Sequence, residues 1–296
     1  MTTTPQQTTG LKAIPHKAGL LSQAIRLKES VFALPFAYLG MLMAAGGLPT
    51  WWQFLWITLA LTGARTLGMS ANRIIDVAQD ALNPRTADRS LVTGALKRWE
   101  MTALATAGLV LLFISAAMLN PVTLALAPVA AIAVVGYAYV KRFTWLTHFA
   151  IGWTDAIAPA GGWIAVTGTL SWEAVLLSLA VATWVGGFDI FYTSQDIEFD
   201  RANGIHSIPQ RFGITATFWT AHGMHLATST SLLALGLWVG LGWPYYIGWA
   251  IASALLLYEH LIISPKDMSR LNQAFFQING YISLTMLTAT LAALYV

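Results

Sequence analysis

Cysteine is absent from all 296 residues, which excludes disulfides and thiolate chemistry. Charge is scarce too: Asp, Glu, Lys and Arg make up 10% of the chain, against ~25% in ordinary soluble domains. Apolar residues reach 56%. That balance excludes a typical soluble domain and describes a polytopic membrane protein. The net charge of +3 is too small to imply a nucleic-acid partner, and nothing calls for an obligate protein partner. The first 29 residues are polar and weakly basic, with no short apolar core ahead of a small-residue cleavage site, so no signal peptide is expected. MTTTPQQTTG is poor in apolar residues; residues 1–22 are expected to be a disordered cytoplasmic segment, and 23–296 a single transmembrane domain.

What is present in quantity is apolar sequence in blocks of roughly 20 residues, the length that crosses a bilayer core. The blocks fall near 30–48, 52–72, 100–119, 121–140, 146–166, 173–193, 215–239, 243–263 and 275–295, predicting nine transmembrane helices and an all-α bundle. The second and sixth are expected to run past the hydrocarbon core. Trp51, Trp52, Trp99, Trp145, Trp172, Trp243 and Tyr245 lie near block ends, as interface-seeking aromatics do. Lys12, Lys17, Arg26 and Lys28 precede the first block; Arg85, Arg89, Lys97 and Arg98 follow the second. Lys141, Arg142, Arg201, Arg211, Lys266 and Arg270 follow the fourth, sixth and eighth, while AAGGLPT, LNP, TGTLS and GLGWP on the other side hold no Lys or Arg. The positive-inside rule then sets the amino terminus in the cytoplasm, at the cell's inner (plasma) membrane.

Against so few charges, two acidic ladders stand out. ANRIIDVAQD carries Asn72, Asp76 and Asp80, and FYTSQDIEFD carries Tyr192, Asp196 and Asp200. Steps of four residues drift only ~40° around a helix and climb ~6 Å, so each set lines one face. A lone DxxxD is ordinarily a solvated acidic face. Here four of only 13 acids form two such pairs, both at the cytoplasmic end of a span, where acids tend to be kept for ions or substrates. Hard oxygen donors suit Mg2+, which shares its shell between carboxylates and substrate phosphates. The offset of the ladders by 120 residues suggests two related four-helix halves with a ninth helix added.

Cations sit at the same level. Lys141 and Arg142 end the fourth span as phosphate contacts or topology anchors, and Arg65 lies within the second, suited to a phosphate or to a structural pair with Asp189. Metal, acids and cations beside an apolar bundle imply a lipid diphosphate. An allylic diphosphate ionises when its leaving group is stabilised, and Tyr137, Tyr139, Phe188, Phe191 and Tyr192 are at a depth to face the cation or simply to pack.

NxxxDxxxD at Asn72–Asp80, YAYVKRFT from Tyr137 and FDIFYTSQDIEFD from Phe188 resemble the UbiA superfamily of intramembrane prenyltransferases, in particular its 4-hydroxybenzoate polyprenyltransferase-like branch in quinone biosynthesis. ALNPRTADRSL, APAGGWIAVTG and GIHSIPQRFG extend the match from about residue 20 onward. The resemblance implies nine spanning helices around a central cavity and Mg2+-dependent transfer of a polyprenyl group from polyprenyl diphosphate to an aromatic acid. The acceptor is 4-hydroxybenzoate for ubiquinone or a dihydroxynaphthoate-type ring for menaquinone; NPRTADRSL and SQDIEFDR lean towards the latter. It implies that Asn72, Asp76 and Asp80 hold one Mg2+ and Asp196 and Asp200 another. Lys141 and Arg142, with Arg65, Tyr137 and Asn72, fall on the diphosphate side. Tyr192 and Asp189 join the catalytic set, Asp189 for positioning Arg65 or for the acceptor. One departure is Asn72-Arg73, where many members carry Asn-Asp.

Outside this pattern, Asp155 is expected to be buried near mid-bilayer, and Glu259 and His260 to make interfacial hydrogen bonds. Asn272 and Asn279 share a helix face for interhelical bonding or for the aromatic pocket. His222 and His225 alone approach metal spacing. Two rival readings stay in view: a related enzyme acting on haem, chlorophyllide or a glycerol phosphate lipid, and a cation-coupled transporter, which would place its acids at the midplane.

Overall fold

A long apolar segment can satisfy its backbone in lipid only by coiling into a helix or closing a barrel. The computed structural model describes residues 13–26, 30–264, 268, 270–271 and 274–296, and among them no strand occurs. The helices are α1 (Ala13–Ala24), α2 (Ser30–Ala45), α3 (Trp51–Leu82), α4 (Arg98–Ala117), α5 (Pro121–Val140), α6 (Thr147–Thr167), α7 (Trp172–Thr193), α8 (Ile197–Asn203), α9 (Ile208–Val239), α10 (Trp243–Ile262) and α11 (Asn279–Ala293). Their ends follow local chemistry. Thr50 and Gln53 form a capping box at α3, Gln53 N donating to Thr50 Oγ1 at 3.2 Å and Thr50 N to Gln53 Oε1 at 3.1 Å. Asn120 and Ser207 cap α5 and α9, accepting from Thr123 N (2.9 Å) and Gln210 N (3.2 Å).

Two departures from straight spans matter. α3 runs unbroken through 32 residues, about 48 Å, so its last turns clear a ~30 Å core and carry the first ladder out of it. The second ladder is not on one continuous helix. α7 stops at Thr193, a 3-10 turn covers Ser194–Asp196, and α8 resumes at Ile197. α9 is broken at Gly213, whose φ of 79° lies in the left-handed region, so the expected start near 215 falls just after the break.

The glycines explain how closely the helices pack. A Cβ on Gly63 would lie 2.7 Å from Leu112 N, and one on Gly108 2.7 Å from Leu67 N, so α3 and α4 meet backbone to backbone. Gly162 of α6 approaches Ala37 O of α2 in the same way, at 2.6 Å for a built Cβ. The main apolar core lies among α2, α7, α9, α10 and α11, with Phe36, Leu177, Trp184, Phe191, Leu232, Tyr245, Ile282 and Met286 buried in it. The outside is apolar as well: Ile132, Trp219, Leu226, Trp238, Leu257 and Leu261 are exposed. An apolar exterior of this extent marks a surface covered by lipid. By length and composition alone, Arg98–Ala117, Pro121–Val140 and Trp172–Asn203 are apolar enough to cross a membrane. The other long helices carry polar and charged residues within their apolar runs.

Several expectations need correcting. α1 occupies much of the segment read as disordered; its amphipathic face, with Leu20, Leu21 and Ala24, packs against Ile74, Leu91, Leu96 and Met101, and Lys17 Nζ donates to Glu100 at 2.5 Å. Tyr245 is no interface residue: it is 1% exposed, and its hydroxyl donates to Leu232 O at 2.7 Å. Glu259 is buried, not interfacial, and His260 stacks on His222 with its Nε2 3.0 Å from His225 Nδ1. Asp155 on α6 is enclosed by the bundle as expected, but its side chain faces open space between the helices instead of packing against them. Asn279, by contrast, bonds across helices as one of its two expected roles, accepting from Trp184 Nε1 at 2.7 Å. Lys12, Lys28, Lys266 and Asn272 lie outside the described residues.

Candidate active site

The last turns of α3 aim Asn72, Asp76 and Asp80 into a cavity of about 290 Å³. Asn72 Nδ2 donates to Asp76 Oδ2 at 3.1 Å, orienting the carboxylate along the ladder. Asp76 is 2% exposed and already neutralised, by Lys141 Nζ at 2.5 Å and Arg142 Nη2 at 3.1 Å, both from the end of α5. Asp80 accepts from Arg89 Nη1 at 2.5 Å.

Across the cavity, Tyr192, Asp196 and Asp200 still share its wall despite the break between α7 and α8. Asp200 accepts from Ser207 Oγ at 3.1 Å, the residue that also caps α9. The two ladders touch through the turn after α3. Asn83 Nδ2 donates to Asp196 Oδ1 at 3.0 Å, while Asn83 Oδ1 accepts from Arg85 N at 2.9 Å and shapes the turn. Arg85 then forks onto Asp196 through Nε (3.1 Å) and Nη2 (2.5 Å). Its Nη1 donates to Tyr192 Oη at 3.1 Å, and its guanidinium lies 5.1 Å from the Tyr192 ring centroid. Burial is the largest single influence on the Arg85 pKa and lowers it, but the hydrogen bond and charge of Asp196, with Tyr192 and Asp80, together outweigh it and the net direction is upward.

Deeper in, Tyr137, His148, Ile151 and Asp189 complete the wall. His148 is fully buried. Its Nε2 accepts from Ile208 N at 3.3 Å, which leaves the proton on Nδ1 to be donated to Asp189 Oδ2 at 2.7 Å. Asp189 is thereby held with its carboxylate at the cavity.

Of the residues singled out in the sequence, Asn72, Asp76, Asp80, Tyr137, Lys141, Asp189, Tyr192, Asp196 and Asp200 are brought together around this one space. Arg142 stands behind Asp76, also donating to Ile75 O at 3.0 Å, and does not line the cavity. Arg65 does not line it either. Its Nη2 reaches Arg26 O at 3.5 Å, its charge acts on Asp155, and the pairing expected with Asp189 is taken by His148 instead. Among the aromatics, Phe191 is buried against Phe218 and His260, Phe188 packs on Trp184, and Tyr139 lies under Arg142 at 5.3 Å. Asn83, Arg73 and His148 were not singled out as site residues in the sequence, and Arg85 and Arg89 only as nearby cations. Their partners are distant in the chain or in a loop without periodicity; Arg73, in the place of the missing acid, uses its Nε to bond Ala24 O at 3.1 Å and tie down α1.

Among the described residues no three His, Asp or Glu side chains meet as a ready-made metal cage. Asp76, Asp80 and Asp196 are each paired with a cation instead. The donor set nonetheless fits Mg2+, which takes few carboxylates per ion and completes its shell with water and phosphate oxygens.

The fold and the site together describe a membrane helical bundle whose cavity gathers two acid clusters and several cations at one level. The UbiA prenyltransferase family matches residues 33–281, and the chain belongs to that family. It is an integral membrane protein. A 4-hydroxybenzoate octaprenyltransferase of Cupriavidus necator is 30% identical over 285 residues, 94% of this chain and 98% of that protein. The apo structure of a UbiA homologue from Aeropyrum pernix K1 superposes with a TM-score of 0.82 at 31% identity, covering 90% of this chain and 98% of that one. A UbiA homologue from Archaeoglobus fulgidus, solved bound to DMAPP and Mg2+, shares the fold with a TM-score of 0.72 at 18% identity, covering 93% and 99%.

Proposed function

We propose that this protein transfers a polyprenyl group from polyprenyl diphosphate to the ring of an aromatic acid, 4-hydroxybenzoate, in ubiquinone biosynthesis. The observation that carries the reading is the single cavity walled by both acid ladders and by Lys141, Arg85 and Arg89, at the end of a lipid-covered bundle. The relative from Cupriavidus necator bears the name of this activity over nearly its whole length, which favours 4-hydroxybenzoate over a naphthoate ring.

In this reading nine helices span the plasma membrane, with the amino terminus and the cavity on the cytoplasmic side. Two related four-helix halves, offset by the 120 residues that separate the ladders, belong to the same reading. Asn72, Asp76 and Asp80 would hold one Mg2+ and Asp196 and Asp200 another, and the ions would supply charge neutralisation of the diphosphate leaving group. Lys141 and the loop arginines grip the phosphate oxygens. The allylic C–O bond breaks, and the Tyr137 and Tyr192 rings face the cationic carbon. A ring carbon of the acceptor bonds to that carbon, and Asp189, steadied by His148, takes the displaced ring proton.

The test is to incubate the purified protein in bilayers with radiolabelled polyprenyl diphosphate and a panel of aromatic acids. A prenylated 4-hydroxybenzoate is expected. A prenylated naphthoate alone would move the assignment to menaquinone, and labelled lipid recovered without any transfer would refute the activity.

A further inference from the structure

The loop after α3 holds a cation where a metal would have to go. Asp196 has both oxygens taken by the Arg85 fork, and Asn83 adds a third contact. A carboxylate gripped in this way has few lone-pair directions left for a metal, so guanidinium and Mg2+ compete for it. Arg85 lies in the turn after the end of α3, and its side chain is 32% exposed. Its third nitrogen donates to Tyr192 Oη, and its guanidinium carbon lies 5.1 Å from the Tyr192 ring centroid. Each of these contacts is on the wall of the diphosphate cavity. A planar fork that fits a carboxylate also fits two oxygens of a phosphate.

We propose that Arg85 is a diphosphate-binding residue held in reserve on Asp196, capping that carboxylate until the donor arrives and then passing its fork to a phosphate. The inference rests on the metal–diphosphate reading of the cavity given above. The exchange frees Asp196 for the metal in the same step that gives the phosphate its guanidinium. Metal and diphosphate therefore each favour the other's binding through one side chain, and neither binds well alone. The loop also ties the ladders together, since Asn83 and Arg85 both reach from the end of α3 to Asp196.

The prediction that separates this from an ordinary phosphate contact is a pair of opposite signs. Purified full-length protein in nanodiscs would be titrated with Mn2+ alone, followed by the free-ion resonance signal, and with inorganic diphosphate at saturating Mg2+, followed by calorimetry. Arg85→Gln should bind Mn2+ alone about tenfold more tightly than the parent chain and Mg2+-diphosphate about tenfold more weakly, within the usual range of coupling between sites. Arg85→Lys, which keeps the charge without the fork, should fall between, and serves if the glutamine variant does not fold. Mn2+ binding that is unchanged or weaker in both variants overturns the proposal. A parent chain whose Mn2+ affinity gains nothing from diphosphate overturns it together with the metal reading. Intact coupling without prenyl transfer to any aromatic acid supports the role of Arg85 and rejects only the acceptor.

Discussion

Replacing Asp76 by Asn tests the first ladder with little change of shape. Asp76 is 2% exposed and accepts from Lys141 Nζ (2.5 Å), Arg142 Nη2 (3.1 Å) and Asn72 Nδ2 (3.1 Å). Removing one partner of a fully buried ion pair costs about 3–5 kcal/mol. The Lys141 and Arg142 side chains are 26% and 25% exposed and can turn towards water, so the cost here drops to ~1–2 kcal/mol. That is a fall of roughly 2–6 °C in Tm, and with total stability of about 5–15 kcal/mol the variant stays folded. Prenyl transfer should fall much further, about 10²–10³-fold, because the lost carboxylate is also a ligand for the Mg2+ that would stabilise the leaving group. Initial rates across a Mg2+ titration, with thermal unfolding of the same sample, measure both. A rate within tenfold of the parent at unchanged Mg2+ dependence would refute the role of the ladder.

Three further outcomes follow from other parts of the molecule. His148→Ala leaves Asp189 without its Nδ1–H donor, and losing a hydrogen bond to a charged group, about 1.5–3 kcal/mol, should slow transfer roughly 10–100-fold while diphosphate binding stays within twofold; calorimetry beside the rate assay checks this. Gly108→Leu forces a side chain into the α3–α4 contact, where a Cβ already meets Leu67 N at 2.7 Å, and should destabilise by about 1–3 kcal/mol, read as a lower Tm. Leu21→Asp puts a charge into the cluster that seats α1 on Leu96 and Met101; hydrogen exchange in 13–24 should quicken while α9 is unaffected.

Much of the bundle was legible because lipid imposes a simple code: blocks of about 20 apolar residues, cations on one side and Trp at the ends. The ladders were legible because helical spacing is local, and Asp76, Asp80, Asp196 and Asp200 do share one wall. What was hidden is non-local or aperiodic. His148 finds Asp189 41 residues away, and no spacing announces it. Arg85 and Asn83 act from a loop whose shape comes from its own turn bonds. The 3-10 break at Ser194–Asp196 leaves the i,i+4 pattern intact on paper while bending the helix that carries it. α1 was hidden by its polar composition, since its few leucines matter only once Leu91, Leu96 and Met101 are beside them. Arg65 shares the helical face of Asn72, seven residues on, but those two turns, ~10 Å, leave it below the residues that line the cavity.

The most direct test of the account is a structure with Mn2+ and a thiol-linked, unreactive analogue of a prenyl diphosphate. The account predicts anomalous density at both Asp76/Asp80 and Asp196/Asp200, joined by one diphosphate, with the isoprenoid tail running down between helices past Tyr137. Metal bound at a single cluster, or a diphosphate seated outside the space between them, would contradict it.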